Sequence, residues 1–148
     1  MALFKTDRVL VPVDFSEASF KAQARTLEFV EDASRLHILH VLPTLYPGEP
    51  GVVWNTVDNQ TRIETINRAF AERFTGPEYK DVHFHVAIGD PSSEIIDYAK
   101  SYDINLIVVP SHGRTGLNRF LMGSVAERVV RFAHCPVLVL RLADMAAE

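Results

Sequence analysis

The segment NLIVVPSHGRTGLNRFLMGS, Asn105 to Ser124, decides how the chain is read. NLIVV is apolar on both faces, which suits a strand covered on each side in a parallel sheet. A polar stretch with Gly113, Arg114, Arg119 and Gly123 follows. Ser124 then opens a segment in which Val125, Val129 and Phe132 fall on a helical stripe. Ser124 and Glu127 form an S-x-x-E capping-box pattern at its start. Strand, glycine-bearing loop and helix together make one βα unit.

Working outward, the same unit recurs. RVLVPV (8–13), LHILHV (36–41), VHFHVAI (82–88) and PVLVLR (136–141) are further short strands rich in β-branched residues. Between them, Phe20, Ala24, Leu27 and Val30 form one helical stripe after the Ser16 start signal. Ile63, Ile66, Phe70 and Phe74 form a second. Ile95, Ile96 and Ala99 form a third, opened by the cap-and-proline pair Asp90-Pro91. Four βα units and a closing strand predict an α/β fold with an open, doubly wound, five-stranded parallel sheet. Helices would cover both faces, and one domain would span 1–148. The Pro- and Gly-rich LPTLYPGEPGVVWNTV (42–57) is read as a flexible surface loop or a contact surface.

The 148 residues are 47% hydrophobic and 23% charged, with a formal net charge of −4. That balance suits a soluble globular protein and offers no electrostatic reason for a nucleic-acid or membrane partner. The N-terminal MALFKTDRVLVPVDFSE is broken by charges and a proline, unlike a signal peptide. A single cysteine, Cys135, excludes an internal disulfide framework. The expectation is a cytoplasmic protein.

Ligands of open α/β sheets bind beyond the carboxyl ends of the strands, where the strand order reverses. Asp14 and Ser16 follow the first strand, and Ser111 to Ser124 follow the fourth. If those strands are neighbours, the two clusters face one crevice. Gly113 and Gly123 allow the backbone to turn and to approach a ligand. The helix start at Ser124 favours an anion, and Arg114 and Arg119 add charge-assisted donors. No Gly-Lys-Ser/Thr is present, so this is not a Walker A loop. DFSEAS after the first strand lacks the glycines of a dinucleotide fingerprint.

RVLVPVDFSEAS at the start and GDPSSEIIDYAKSYDINLIVVPSHGRTGLNRFLMGSVAERVVRFAHCPVLVLR at the end resemble the universal stress protein family over nearly the full chain. Its ATP-binding branch carries Gly-x2-Gly-x9-Gly-Ser/Thr. Gly113, nine intervening residues and Gly123-Ser124 match the second and third glycines and the hydroxyl, while Pro110 stands at the first glycine position. The resemblance implies a Rossmann-like, adenine-nucleotide-alpha-hydrolase-like sheet with strand order 3-2-1-4-5. It places Pro12, Val13 and Asp14 against adenine and ribose, Val41 at the adenine wall, and Val109 and Pro110 beside sugar and base. Gly113, Arg114, Gly123, Ser124 and Val125 take the phosphate side. The implied ligand is ATP, or AMP or ADP, with Mg2+ held through the phosphates. The implied role is a dimeric stress-response regulator, paired through 136–141, rather than a turnover enzyme. Two alternatives stand beside it: an interaction module of the same fold that binds no nucleotide, and a slow ATPase.

Asp14 also has a plain reading as a helix cap. His83 and His85 share one side of a strand, and His37 or His40 can come alongside as metal ligands, against the commoner reading of ordinary strand histidines. His112 suits a packing role or a phosphate contact. Cys135 reads as a small buried apolar residue. Tyr46 and Trp54 would cover a base or meet a partner.

Overall fold

A computed structural model describes residues 3–45, 58–111 and 122–141. Five strands alternate with four α-helices: β1 (Val9–Pro12), α1 (Glu17–Val30), β2 (Leu36–Leu42), α2 (Asn59–Arg73), β3 (His83–Ile88), α3 (Pro91–Ser101), β4 (Leu106–Pro110), α4 (Ser124–Phe132) and β5 (Val137–Leu140). Short 3-10 turns at Ala33–Arg35 and Pro77–Tyr79 lead into β2 and toward β3. The strands are parallel in the order β3-β2-β1-β4-β5. The chain therefore winds one way from β1 to β3 and the other way from β4 to β5. The reversal falls between β1 and β4.

Side-chain alternation along β1 builds two cores. Val9 and Val11 point to one layer with Ala22 and Val30 of α1 and Phe70 of α2. Leu10 points to the other with Ile95 and Ala99 of α3 and Val129 of α4. Period-two side chains in covered strands produce this division directly.

Several details depart from the sequence reading. The α1 stripe is rotated: Ala24 is exposed, and the buried face is Ser19, Ala22, Gln23, Thr26 and Val30. Phe20 and Leu27 flank that face, half-buried. Thr26 satisfies its hydroxyl by donating 2.6 Å to the Ala22 carbonyl. Leu42 belongs to β2, paired with Ile88, rather than to the following loop. The cap of α4 is Gly123, with Ser124 already the first helical residue, so the S-x-x-E capping box does not form. Glu127 instead pairs with Arg131 at 3.0 Å along the helix.

Candidate functional site

β1 and β4 are paired from Val9–Leu106 to Leu10–Ile107. Beyond that register they separate, and a hollow of about 250 Å3 opens between them. Its walls come from Pro12, Val13 and Asp14 after β1, Val41 on β2, and Val109 and Pro110 ending β4. Gly123, Ser124 and Val125 close it at the start of α4. Gly113 and Arg114, the other two predicted site residues, lie outside the described residues, as do Arg119, His112, Tyr46 and Trp54.

Local bonding shapes each wall. The Val13 N–H donates to the Leu39 carbonyl at 2.8 Å, prolonging contact between β1 and β2. One Asp14 carboxylate oxygen accepts from the Ser16 N–H at 3.0 Å and from the Ser16 hydroxyl. Ser16 in turn caps α1 by accepting from the Ser19 N–H at 3.1 Å. The cap is thus Ser16; Asp14 braces the turn while lining the hollow.

Pro110 sits where its missing N–H has least consequence for the sheet. The N–H groups of Ile107 and Ser111 both point to β5, donating to Pro136 and Leu140. The backbone polar groups of Pro110 therefore face the β1 side, past the last paired β1–β4 register. Proline removes no ladder bond there and leaves the hollow an acceptor without a donor.

At α4 the Gly123 N–H donates to the Ser111 carbonyl at 2.7 Å, tying together the two ends of the segment between them. Gly123 has φ −64° and ψ 155°, a conformation open to any residue, so the turn itself does not demand glycine. The first intrahelical bond runs from the Glu127 N–H to the Gly123 carbonyl. That leaves the amides of Ser124, Val125 and Ala126, all on the hollow's wall, without intrahelical acceptors. The helices α1, α2 and α3 have side-chain caps in Ser16, Asp58 and Asp90, whereas α4 has none among the described residues. Asp90 also bonds Arg128 of α4 at 3.3 Å, joining the two helices that border the hollow. Hydrogen bonds from Ser92 and Ser93 hold the Asp90 carboxyl below the usual carboxylate range, with the Arg128 charge adding to the effect.

Further walls come from Ser19, Leu39, Pro91, Ile95 and Ala126, which sequence reasoning did not assign. Pro91 had a usable signal, because a helix start after a parallel strand lies at the carboxyl edge. Leu39 and Ile95 had none, since their place depends on strand register and helix packing.

The histidines divide between the two faces of the sheet. His37 and His83 stack at 4.4 Å, and His37 Nδ1 shares a 2.7 Å hydrogen bond with the Tyr98 hydroxyl. His83 Nε2 donates to the Ser34 carbonyl at 3.1 Å. These rings stack on one another and bond to protein groups. Among the described residues no group of three or more His, Cys, Asp or Glu is arranged to hold a metal ion. His40 faces the opposite layer and meets the Phe15 ring. Burial raises the Cys135 thiol above its ordinary pKa, which disfavours the reactive thiolate. Among the described residues, no helix is long and apolar enough to cross a membrane.

The sequence profile of the Universal stress protein family matches residues 5–141. The chain belongs to the universal stress protein family. Universal stress protein MJ0531 of Methanocaldococcus jannaschii is 31% identical over 140 residues, covering 90% of this chain and 81% of that protein. Among solved structures, universal stress protein UspA from Lactobacillus plantarum superposes with a TM-score of 0.70 at 26% identity, covering 92% of this chain and 98% of that one. A universal stress protein in complex with cAMP shares the fold at a TM-score of 0.62 and 24% identity, covering 91% and 96%. The five-stranded order and the helices on both faces are the universal stress protein architecture, as the motif implied.

Proposed function

We propose that this universal stress protein binds an adenine nucleotide between β1 and β4 and acts as a dimeric regulator. One observation carries the reading: an apolar hollow at the strand-order reversal ends on the N-terminus of α4, which begins on Gly123 and has no side-chain cap among the described residues. Val13, Leu39, Val41, Ile95 and Val109 supply a surface suited to a base. The amides of Ser124, Val125 and Ala126, with the positive end of the helix dipole, suit phosphate oxygens. The motif adds Gly113 and Arg114 to the phosphate side. A relative of the same fold solved with cAMP supports the ligand class.

ATP, ADP and AMP all fit that division of the hollow into an apolar and an amide-lined end. Asp14 already accepts from Ser16, so Mg2+ would be held through the phosphates rather than by a protein cage. Asp14 is the one carboxylate among the described lining residues and is engaged with Ser16, so slow hydrolysis at most is expected, because turnover needs an oriented water and a metal clamp. The alternative of an interaction module without nucleotide is favoured by Pro110, which withdraws one donor from the hollow.

Mass spectrometry of nucleotide released on denaturation, with calorimetric titration of Mg-ATP, separates the readings. Near-stoichiometric AMP, ADP or ATP, or measurable binding, supports the proposal; neither refutes it. Gly123→Val keeps an allowed backbone conformation but fills space beside the amides. It should weaken ATP binding at least about tenfold while leaving the circular dichroism spectrum unchanged. Unchanged affinity would disprove the assignment of the phosphate end.

A further inference from the structure

The rim of the hollow is held in place by residues that do not touch it. Phe15, directly after Asp14, has φ 64°, a left-handed conformation unfavourable for a bulky side chain. Its ring compensates by packing into an aromatic box. It stacks on Phe70 of α2 at 5.8 Å, and meets Phe20 edge-on at 5.6 Å and His40 at 4.9 Å.

His40 makes a second connection. It is buried at 8% exposure on β2, and its Nδ1 lies 2.7 Å from the Val13 carbonyl oxygen. A carbonyl only accepts, so Nδ1 carries the proton and donates. The backbone register between β1 and β2 ends at Pro12–Leu39. One residue later, the Val13 N–H still reaches the Leu39 carbonyl, and the Val13 carbonyl is met by the imidazole. The ring thus adds a further connection between the two strands as the chain turns away. Both backbone polar groups of Val13 are tied to β2 just before Asp14 enters the hollow.

We infer that His40 is a positioning residue of the nucleotide site, its Nδ1–H setting the orientation of the Val13–Asp14 rim while its ring packs on Phe15 in the core. The inference rests on the nucleotide reading above and adds the means by which the rim is kept ready for ligand. A purely structural histidine would contribute stability without affinity, and the two roles can be separated.

His40→Phe keeps an aromatic ring against Phe15 but has no donor. His40→Asn loses the ring but places an amide N–H near the position of Nδ1. Val30→Ala weakens the same core at the far end of α1. Dissociation constants for AMP and ATP, Tm, and hydrogen exchange at the Asp14 and Phe15 amides are measured for all three variants and the wild type. Expected for His40→Phe is an affinity loss of about tenfold, the scale of one buried hydrogen bond left unmade, with faster exchange at the rim. His40→Asn should recover affinity to within about threefold of wild type despite a lower Tm. Val30→Ala should lower Tm and leave both affinities unchanged. Wild-type affinity in His40→Phe, or losses that simply follow Tm across the three variants, would overturn the inference while leaving the site intact. A wild type that binds neither nucleotide would overturn the functional reading and this inference with it.

Discussion

Gln23 is the residue whose placement most conflicts with its chemistry. It is 1% exposed on the sheet-facing side of α1, and its Nε2 has no hydrogen-bond partner among the described residues. Its Oε1 accepts from the Tyr79 hydroxyl at a long 3.3 Å. A buried donor left unmade costs about 1–3 kcal/mol, more than that weak bond returns. Gln23→Met conserves volume and removes the orphan donor, so it should raise Tm by about 2–4 °C; differential scanning calorimetry showing no rise would refute this account. Pro110 is the second such residue. Because its backbone groups face the hollow and not a ladder partner, Pro110→Gly offers a ligand one more donor. Its ATP affinity should equal wild type or exceed it by up to about tenfold, and a large loss in calorimetry would mean the proline ring itself packs on the base. Sequence reading located Pro110 as a departure from the motif, but the direction of its missing N–H came only from the β4–β5 hydrogen bonds.

At the scale of elements, the contrast between helix starts separates structural from ligand-directed ends. Ser16, Asp58 and Asp90 satisfy their own helices, whereas α4 begins on a glycine. S-x-x-E at Ser124 read as a box because the pattern is local; the helix instead takes its cap one residue earlier, at Gly123, whose N–H is bonded to the Ser111 carbonyl. The join between β2 and α3 carries a pH dependence. Burial, reinforced by the nearby charges of His83 and Arg8, holds His37 down to about 4 from its ordinary 6.5. The same burial pushes the bonded Tyr98 hydroxyl up to about 12. The folded state therefore keeps His37 neutral where the unfolded chain takes up a proton. Its contribution is nil above about pH 6.5, destabilising by a growing amount as pH falls toward 4, and constant below. The full effect is at most about 3 kcal/mol. Urea midpoints measured between pH 7 and 4 should show this decline. His37→Gln should flatten it, and an unchanged pH profile in that variant would locate the sensitivity elsewhere.

For the whole molecule, β5, the last strand in the sheet order, is the surface proposed for self-association. Val137–Leu140 is apolar, and Leu138 is 38% exposed. An apolar edge strand with unpaired backbone groups invites another strand. Leu138→Glu should shift the sedimentation mass from dimer to monomer at micromolar concentration with the fold retained; a monomeric wild type would refute pairing through 136–141.

The order of elements and the family were legible in the chain alone, because short apolar strand runs, helical stripes and the Gly-x9-Gly-Ser spacing are set by residues near one another. The rotated face of α1, the Leu39 and Ile95 walls, the start of α4 on Gly123 and the reach of His40 to Val13 were settled only by tertiary structure. Each depends on register and close approach between segments distant in sequence, where packing of the whole sheet selects which faces and backbone groups meet.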